Sequence, residues 1–167
     1  DRRRLIAGEH PAQQRLAFEE LVAHQLSLLQ RRQLQRQLPA PICRDSSGLS
    51  AAFLAQLPFQ LTDGQTQVLQ EIREDLLRPL PMLRLVQGDV GSGKTLVAAL
   101  AALQVIAHGG QVVLMAPTEL LAEQHLANFR AWFEPLGLRV AWLAGKVSGK
   151  ARAAVLAEIA SGVAQVV

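Results

Sequence analysis

Residues 88–95 read Gly-Asp-Val-Gly-Ser-Gly-Lys-Thr, a G-x-x-x-x-G-K-T run. Each position suits one task in holding a polyphosphate. Gly88, Gly91 and Gly93 let the backbone curl until successive N–H groups face inward as an anion nest. A helix beginning at Lys94 would add a partial positive charge behind the phosphates. Lys94 would reach the β- and γ-phosphates as a point charge, and Thr95 would offer its hydroxyl to Mg²⁺. Asp89, Val90 and Ser92 complete the loop. The apolar run Met82–Gln87 precedes it and reads as a strand, and an Ala/Leu-rich helix follows, which is the context a P-loop requires. The plain alternative is an Ala/Gly-rich strand–helix turn with a stray lysine.

These residues need a scaffold, and the pattern of the remaining chain supplies one. After Ser50 the periodicity predicts helices over 50–56, 64–77, 94–108, 118–133 and 149–160. Apolar runs at 82–87, 111–116, 138–143 and 164–167 predict strands between them. Thr62 or Asp63 is expected to cap the second helix, and Gly109-Gly110 to close the third. Leu121, Phe129, Trp132 and Phe133 are expected to face the core. Strand and helix alternating with short links call for an α/β fold with a parallel sheet and helices on both faces. A long helix over 12–37 comes first, with Phe18, Leu21, Val22, Leu26, Leu28 and Leu29 as its apolar stripe. It is read as amphipathic and therefore as lying against something. Residues 39–49 read as a linker, so the expected division is 1–49 for connecting helix and linker and 50–167 for the α/β part.

Composition narrows the class. Half of the 167 residues are apolar, and the single cysteine, Cys43, excludes an intramolecular disulfide and a cysteine-based zinc site. Aromatics at 4% argue against a base-stacking platform. Residues 1–44 hold eight Arg against four acids, and residues 45–167 hold nine Lys/Arg against ten acids, so the basic charge sits at the front. No apolar run is long enough for a membrane helix, and no leader pattern is visible; the expected location is the cytoplasm, with no membrane partner. The first residues and the last strand read as cut ends of a longer protein.

Three further segments resemble known helicase motifs. Phe59-x-Leu61-Thr62-x-x-Gln65 resembles the adenine-reading Q-motif upstream of the P-loop in superfamily 2 helicases. The Gln65 amide offers a donor beside an acceptor, which fits the N6/N7 edge of adenine; the plain alternative is a capped helix start. Ala116-Pro117-Thr118-Glu119 through Gln124 resembles helicase motif Ia, where Thr118 and Glu119 at a helix start suit a nucleic-acid phosphate or simply cap that helix. The run Arg84–Ala98, the stretch 116–125 and Trp142-Leu143-Ala144-Gly145-Lys146 together closely resemble the RecG family of bacterial ATP-dependent DNA helicases, over at least residues 50–167. The transcription-repair coupling factor is a near relative that shares Gly-Asp-Val-Gly.

That resemblance implies a RecA-like first motor lobe in which ATP and Mg²⁺ bind at 88–95. Phe59 and Gln65 would read adenine, and Thr118, Glu119 and Lys146 would contact DNA. The implied partners are branched double-stranded DNA (a stalled fork or Holliday junction), a second motor lobe and a wedge domain of the same parent chain. The implied work is DNA recombination and repair by an ATP-hydrolysing DNA helicase. Hydrolysis also needs an acidic residue for Mg²⁺ and an arginine finger, and no Asp-Glu-x-His run occurs here. The segment alone is expected to be inactive. Rival readings are a P-loop kinase, which would need a lid with paired arginines, and a non-catalytic nucleotide-sensing module. Arg31, Arg32 and Arg36, and Lys150 with Arg152, are weighed as DNA contacts against solvated surface. The four histidines, His125 among them, read as structural or solvated.

Overall fold

Glycine, proline and capping residues set the element boundaries in the computed structural model, which describes residues 4, 7–8, 10–35, 37–145 and 147–167. Six α-helices are described: α1 Pro11–Gln35, α2 Leu49–Gln56, α3 Asp63–Leu76, α4 Lys94–Ala107, α5 Glu119–Phe133 and α6 Gly149–Ala160. A 3₁₀ turn, Glu134–Leu136, follows α5. Two compact units result. One contains residues 1–40 and 79–83; the other contains 41–78 and 84–167.

In the first unit α1 opens at Pro11, a residue suited to a first helical turn because its missing N–H has no partner there anyway. Its apolar residues are exposed: Phe18 at 66%, Leu21 at 68% and Leu26 at 54%. The expected stripe exists in sequence but is not buried along this helix. Arg31 and Arg32 are also exposed, while Arg36 lies outside the described residues.

The second unit has its core around α4. Leu96, Val97, Ala99, Leu100, Ala102, Leu103 and Ile106 are buried, so the helix is enclosed on most sides as its composition predicts. Helices α2 and α3 pack against it. Phe53 of α2 meets Trp132 and Phe133 of α5 edge-on, with ring centroids 5.9 and 6.1 Å apart. Phe129 and Phe133 complete that cluster at 5.0 Å. Thr62 caps α3, and Gly109, at φ 88°, ends the turn after α4.

Residues 41–48 pack with this unit. Cys43 is buried and its N–H donates to the Leu76 carbonyl at 2.9 Å. Its own carbonyl accepts from Gln104 Nε2, a buried amide, at 2.8 Å. Burial pushes the Cys43 thiol above its ordinary pKa. Asp45 accepts from the Gly48 and Ser50 N–H groups and so starts α2.

The predicted strands fare differently. No named strand occurs among the described residues. Val166 forms parallel bridges to Val112 on one side and Val140 on the other. The Val112 N–H donates to the Gln165 carbonyl, Leu114 to Val167, and Ala141 to Val166, all at 2.8–2.9 Å. Segments 111–115, 165–167 and 139–141 thus lie side by side and parallel, with the last in sequence at the centre. The expected strand at 82–87 has no ladder partner among the described residues, and Leu85 is 79% exposed. The physical reason is that an apolar run becomes a strand only beside a backbone that accepts its hydrogen bonds. Segments 111–115 and 139–141 pair with 165–167 instead, and none of them pairs with 82–87 among the described residues. The predicted two-sided helix cover is also incomplete: Val113 and Met115 are exposed at 68% and 87%.

Candidate functional site

The loop 88–93 is shaped by its glycines. Gly91 and Gly93 lie in the left-handed region, at φ 84° and 82°, where a side chain is strained. A Cβ on Gly88 would come within 2.7 Å of Ser92 Oγ, and one on Gly93 would collide with the Gln65 amide nitrogen. The Ser92 N–H donates to the Asp89 carbonyl at 3.1 Å, closing the turn. Gly93 is the N-cap of α4 and has no side chain to satisfy first-turn N–H groups; the Leu96 N–H donates to the Gly93 carbonyl at 2.9 Å, which leaves those of Lys94 and Thr95 for an anion. Lys94 Nζ donates to the carbonyls of Gly88 and Asp89 at 2.7 and 2.6 Å. The ammonium is therefore held across the loop's mouth by its own backbone. Thr95 is half-buried in the first turn of α4, and Val90 is fully exposed at the tip.

Gln65 is drawn into this loop. Its backbone N–H donates to Thr62 Oγ1 at 3.3 Å, and its Oε1 accepts from the Thr62 N–H at 3.0 Å, a reciprocal capping box. Its Nε2 donates to the Ser92 carbonyl at 2.9 Å. One side chain therefore fixes the start of α3 and grips the P-loop, while its amide retains one N–H and one lone pair. Capping and a further role need not exclude each other. Phe59 stands apart from these contacts, 54% exposed.

A second feature lies at the carboxyl ends of the three parallel segments, the edge where open α/β sheets bind ligands. Thr118 caps α5, its Oγ1 accepting from the Leu121 N–H at 3.3 Å, and is exposed; Glu119 begins the helix. A cavity of about 490 Å³ opens there, lined among others by Ala116, Thr118, His125, Gly145 and Val167. His125 Nδ1 is buried without a hydrogen-bond partner. Lys146 lies outside the described residues; Lys150 and Arg152 are exposed on α6. The P-loop and the motif Ia segment occupy different parts of the unit, the first at the start of α4 and the second at the start of α5. Among the described residues no group of three His, Cys, Asp or Glu side chains could hold a metal ion.

Sequence reasoning missed the Arg84 cluster. Arg84 Nε and one terminal nitrogen bind Asp75 Oδ2 at 3.0 and 2.6 Å, and the other binds Glu71 Oε2 at 2.5 Å. Glu71 and Asp75 stand four residues apart on α3, which puts them on one face. That spacing was readable, but their partner, nine and thirteen residues on, was not.

Known proteins place these features in context. The chain is 61% identical over 163 residues to the ATP-dependent DNA helicase RecG of Pasteurella multocida, covering 98% of this chain and 24% of that one. It is 58% identical over the same length to RecG of Escherichia coli K12. It thus spans about a quarter of the curated relatives it matches. A solved structure of RecG bound to a three-way DNA junction superposes with a TM-score of 0.81 at 37% identity, over 92% of this chain and 21% of that one. The RecA-like helicase fold follows from that likeness. Residues 62–167, from the Thr62 cap through the P-loop to the paired segment at Val166, match the DEAD/DEAH box helicase model, and the chain belongs to that family.

Proposed function

We propose that residues 50–167 are the ATP-binding part of the first motor lobe of a DNA helicase, an ATP hydrolase that remodels branched DNA in recombination and repair. Residues 1–49 serve as its connecting helix and linker. The observation that carries the reading is the glycine-shaped loop at the start of α4, with Lys94 Nζ held over it by two loop carbonyls. Those carbonyls are the ammonium's partners until a triphosphate offers a stronger one, since a charge-assisted contact to phosphate outweighs one to a neutral carbonyl. The first-turn N–H groups of α4 hold the phosphates, Lys94 binds the outer phosphate oxygens, and Thr95 supplies a hydroxyl ligand for Mg²⁺. When bound, the ion neutralises charge that develops on the transferring phosphoryl group. The spare donor and acceptor of Gln65 read adenine, with Phe59 against the base.

Thr118, Glu119 and Lys146, at the carboxyl edge of the parallel segments, contact the DNA backbone. In the whole protein the segment 82–87 finds ladder partners, and the exposed face at Val113 and Met115 is covered, giving a parallel sheet flanked on both sides. The branched substrate is inferred from the junction-bound relative. A second motor lobe and a wedge domain belong to the same parent chain, and the acid for Mg²⁺ and the arginine finger come from outside residues 1–167. The cytoplasm is the compartment where such DNA is found.

The test is Lys94→Ala in the full-length protein. DNA-stimulated ATP hydrolysis is expected to vanish while binding to a forked or four-way junction persists, because other surfaces hold the DNA. Turnover within roughly tenfold of the unmutated protein, about 1.4 kcal/mol of barrier, refutes the assignment.

A further inference from the structure

Helix α3 touches the P-loop module at two places. At its first turn Gln65 Nε2 holds the Ser92 carbonyl. Six and ten residues on, roughly 9 and 15 Å along the axis, Glu71 and Asp75 hold the guanidinium of Arg84, four residues before Gly88. Asp75 is shared with Arg78 at 3.1 Å, so two arginines and two carboxylates form one network.

Two facts distinguish it from the other ion pairs. Arg15–Glu19 and Arg130–Glu134 join residues four apart on one helix or its end, at substantial exposure. Arg84 and Arg139 each tie a segment outside the helices to a helix, but Arg139 is 50% exposed and reaches one carboxylate, Glu158, whereas Arg84 is 29% exposed and spans two. An isolated exposed pair contributes little, whereas a forked guanidinium spanning two carboxylates is geometrically restrictive. The hydrogen bonds it donates to Asp75 and Glu71 hold Arg84 still more firmly in its charged form. The second fact is its place: Arg84 lies four residues before Gly88, while Gln65 of the same helix holds the Ser92 carbonyl near the other end of the loop. The arginine therefore fastens the approach to the loop to the same helix whose first turn holds the loop's far end.

We propose that Arg84, clamped by Glu71 and Asp75, is a positioning residue for nucleotide binding: it fixes the segment that feeds the P-loop against α3, so that the loop stands where Gln65 can hold its other end. The inference rests on the nucleotide-binding reading of residues 88–95. Arg84 acts through the loop, its guanidinium being taken up by Glu71 and Asp75. Its loss widens the range of loop positions in the free protein, and binding must then restrict that range. The consequence falls on affinity for ATP rather than on the chemical step.

The experiment uses the full-length protein, steady-state ATP hydrolysis at saturating forked DNA, and thermal unfolding as a folding control. Arg84→Ala is expected to raise KM for ATP roughly tenfold while kcat stays within about threefold. The pair Glu71→Gln/Asp75→Asn should reproduce that split from the other side. Combining all three substitutions should add nothing further, because each set removes the same contact. Arg84→Lys, which keeps the charge but loses the fork, should fall between, and decides the matter if Arg84→Ala does not fold. Additive effects, an unchanged KM, or loss of kcat at constant KM overturns the proposal. Lys94→Ala separates the two readings. If that variant is dead while the Arg84 variants keep the original KM, only the clamp is wrong; if it hydrolyses ATP normally, the P-loop assignment itself falls.

Discussion

Substituting Gln65 tests whether one amide links helix capping to nucleotide binding. Gln65→Ala removes two hydrogen bonds at once, Oε1 to the Thr62 N–H at 3.0 Å and Nε2 to the Ser92 carbonyl at 2.9 Å. Each such bond contributes about 1 kcal/mol net, so the variant should unfold about 1–2 kcal/mol more easily. It is therefore not a clean probe of base recognition, since the helix start suffers too. Gln65→Glu separates the effects. A glutamate at this third helical position still accepts from the Thr62 N–H, as capping boxes commonly do. It cannot donate to the Ser92 carbonyl, and its second oxygen would face that carbonyl, so the loop must shift. Stability should stay within about 1 kcal/mol of the unmutated protein, while ATP affinity in the full-length protein falls roughly tenfold, the equivalent of one lost hydrogen bond of about 1.4 kcal/mol. Adenine presents N6–H₂ where guanine presents O6. Gln65→Ala should therefore weaken ATP more than GTP and narrow the gap between them. The assay is paired ATP and GTP titration of the three proteins, with urea unfolding alongside. If Gln65→Glu binds ATP as tightly as the unmutated protein, the Ser92 contact does not position the loop. If Gln65→Ala also leaves the ATP-to-GTP ratio unchanged, Gln65 is a helix-start residue only.

Phe133→Ala should destabilise the second unit by about 3–5 kcal/mol, because the ring is wholly buried against Phe53 and Phe129 and its loss leaves a cavity. Urea midpoints at constant m-value measure this, and a loss under about 1 kcal/mol would mean the aromatic cluster collapses freely. Acid should weaken the start of α2. Burial alone would raise the Asp45 pKa, but hydrogen bonds from Ser50, Gly48 and Ser47 outweigh it and hold the carboxyl below its ordinary 3.8. The stabilisation from a depressed carboxylate is fully present above the unfolded-state value and lost as pH falls through the folded-state one. Unfolding curves from pH 6 down past 3.8 should therefore show Asp45→Asn less acid-sensitive than the unmutated protein; parallel curves would refute the role.

Local chemistry made much of this protein legible from its sequence. Thr62 and Thr118 cap because their hydroxyls lie beside the N–H groups they satisfy, Gly109 ends a turn that only glycine enters easily, and Gly88, Gly91 and Gly93 shape the loop within a handful of residues. The apolar run of α4 announced its burial because enclosure on most sides leaves few positions for polar groups. Pairing between distant segments was not legible. Residues 82–87 have the composition of a strand, yet nothing in them specifies a lateral partner. The segment around Val166, last in sequence, lies between those at Val112 and Val140. The apolar stripe of α1 marked a face without stating what meets it. Cys43, in a stretch composed like a linker, is buried, its N–H donating to the Leu76 carbonyl at the end of α3 and its carbonyl accepting from Gln104, both far along the chain. The same holds for Gln65 and Arg84. Gln65 read as an adenine reader or a capped helix start and Arg84 as part of an expected strand, and only the close approach of α3 to the P-loop segment gave each its partner there, because hydrogen bonds and ion pairs depend on distances in space that sequence separation does not fix.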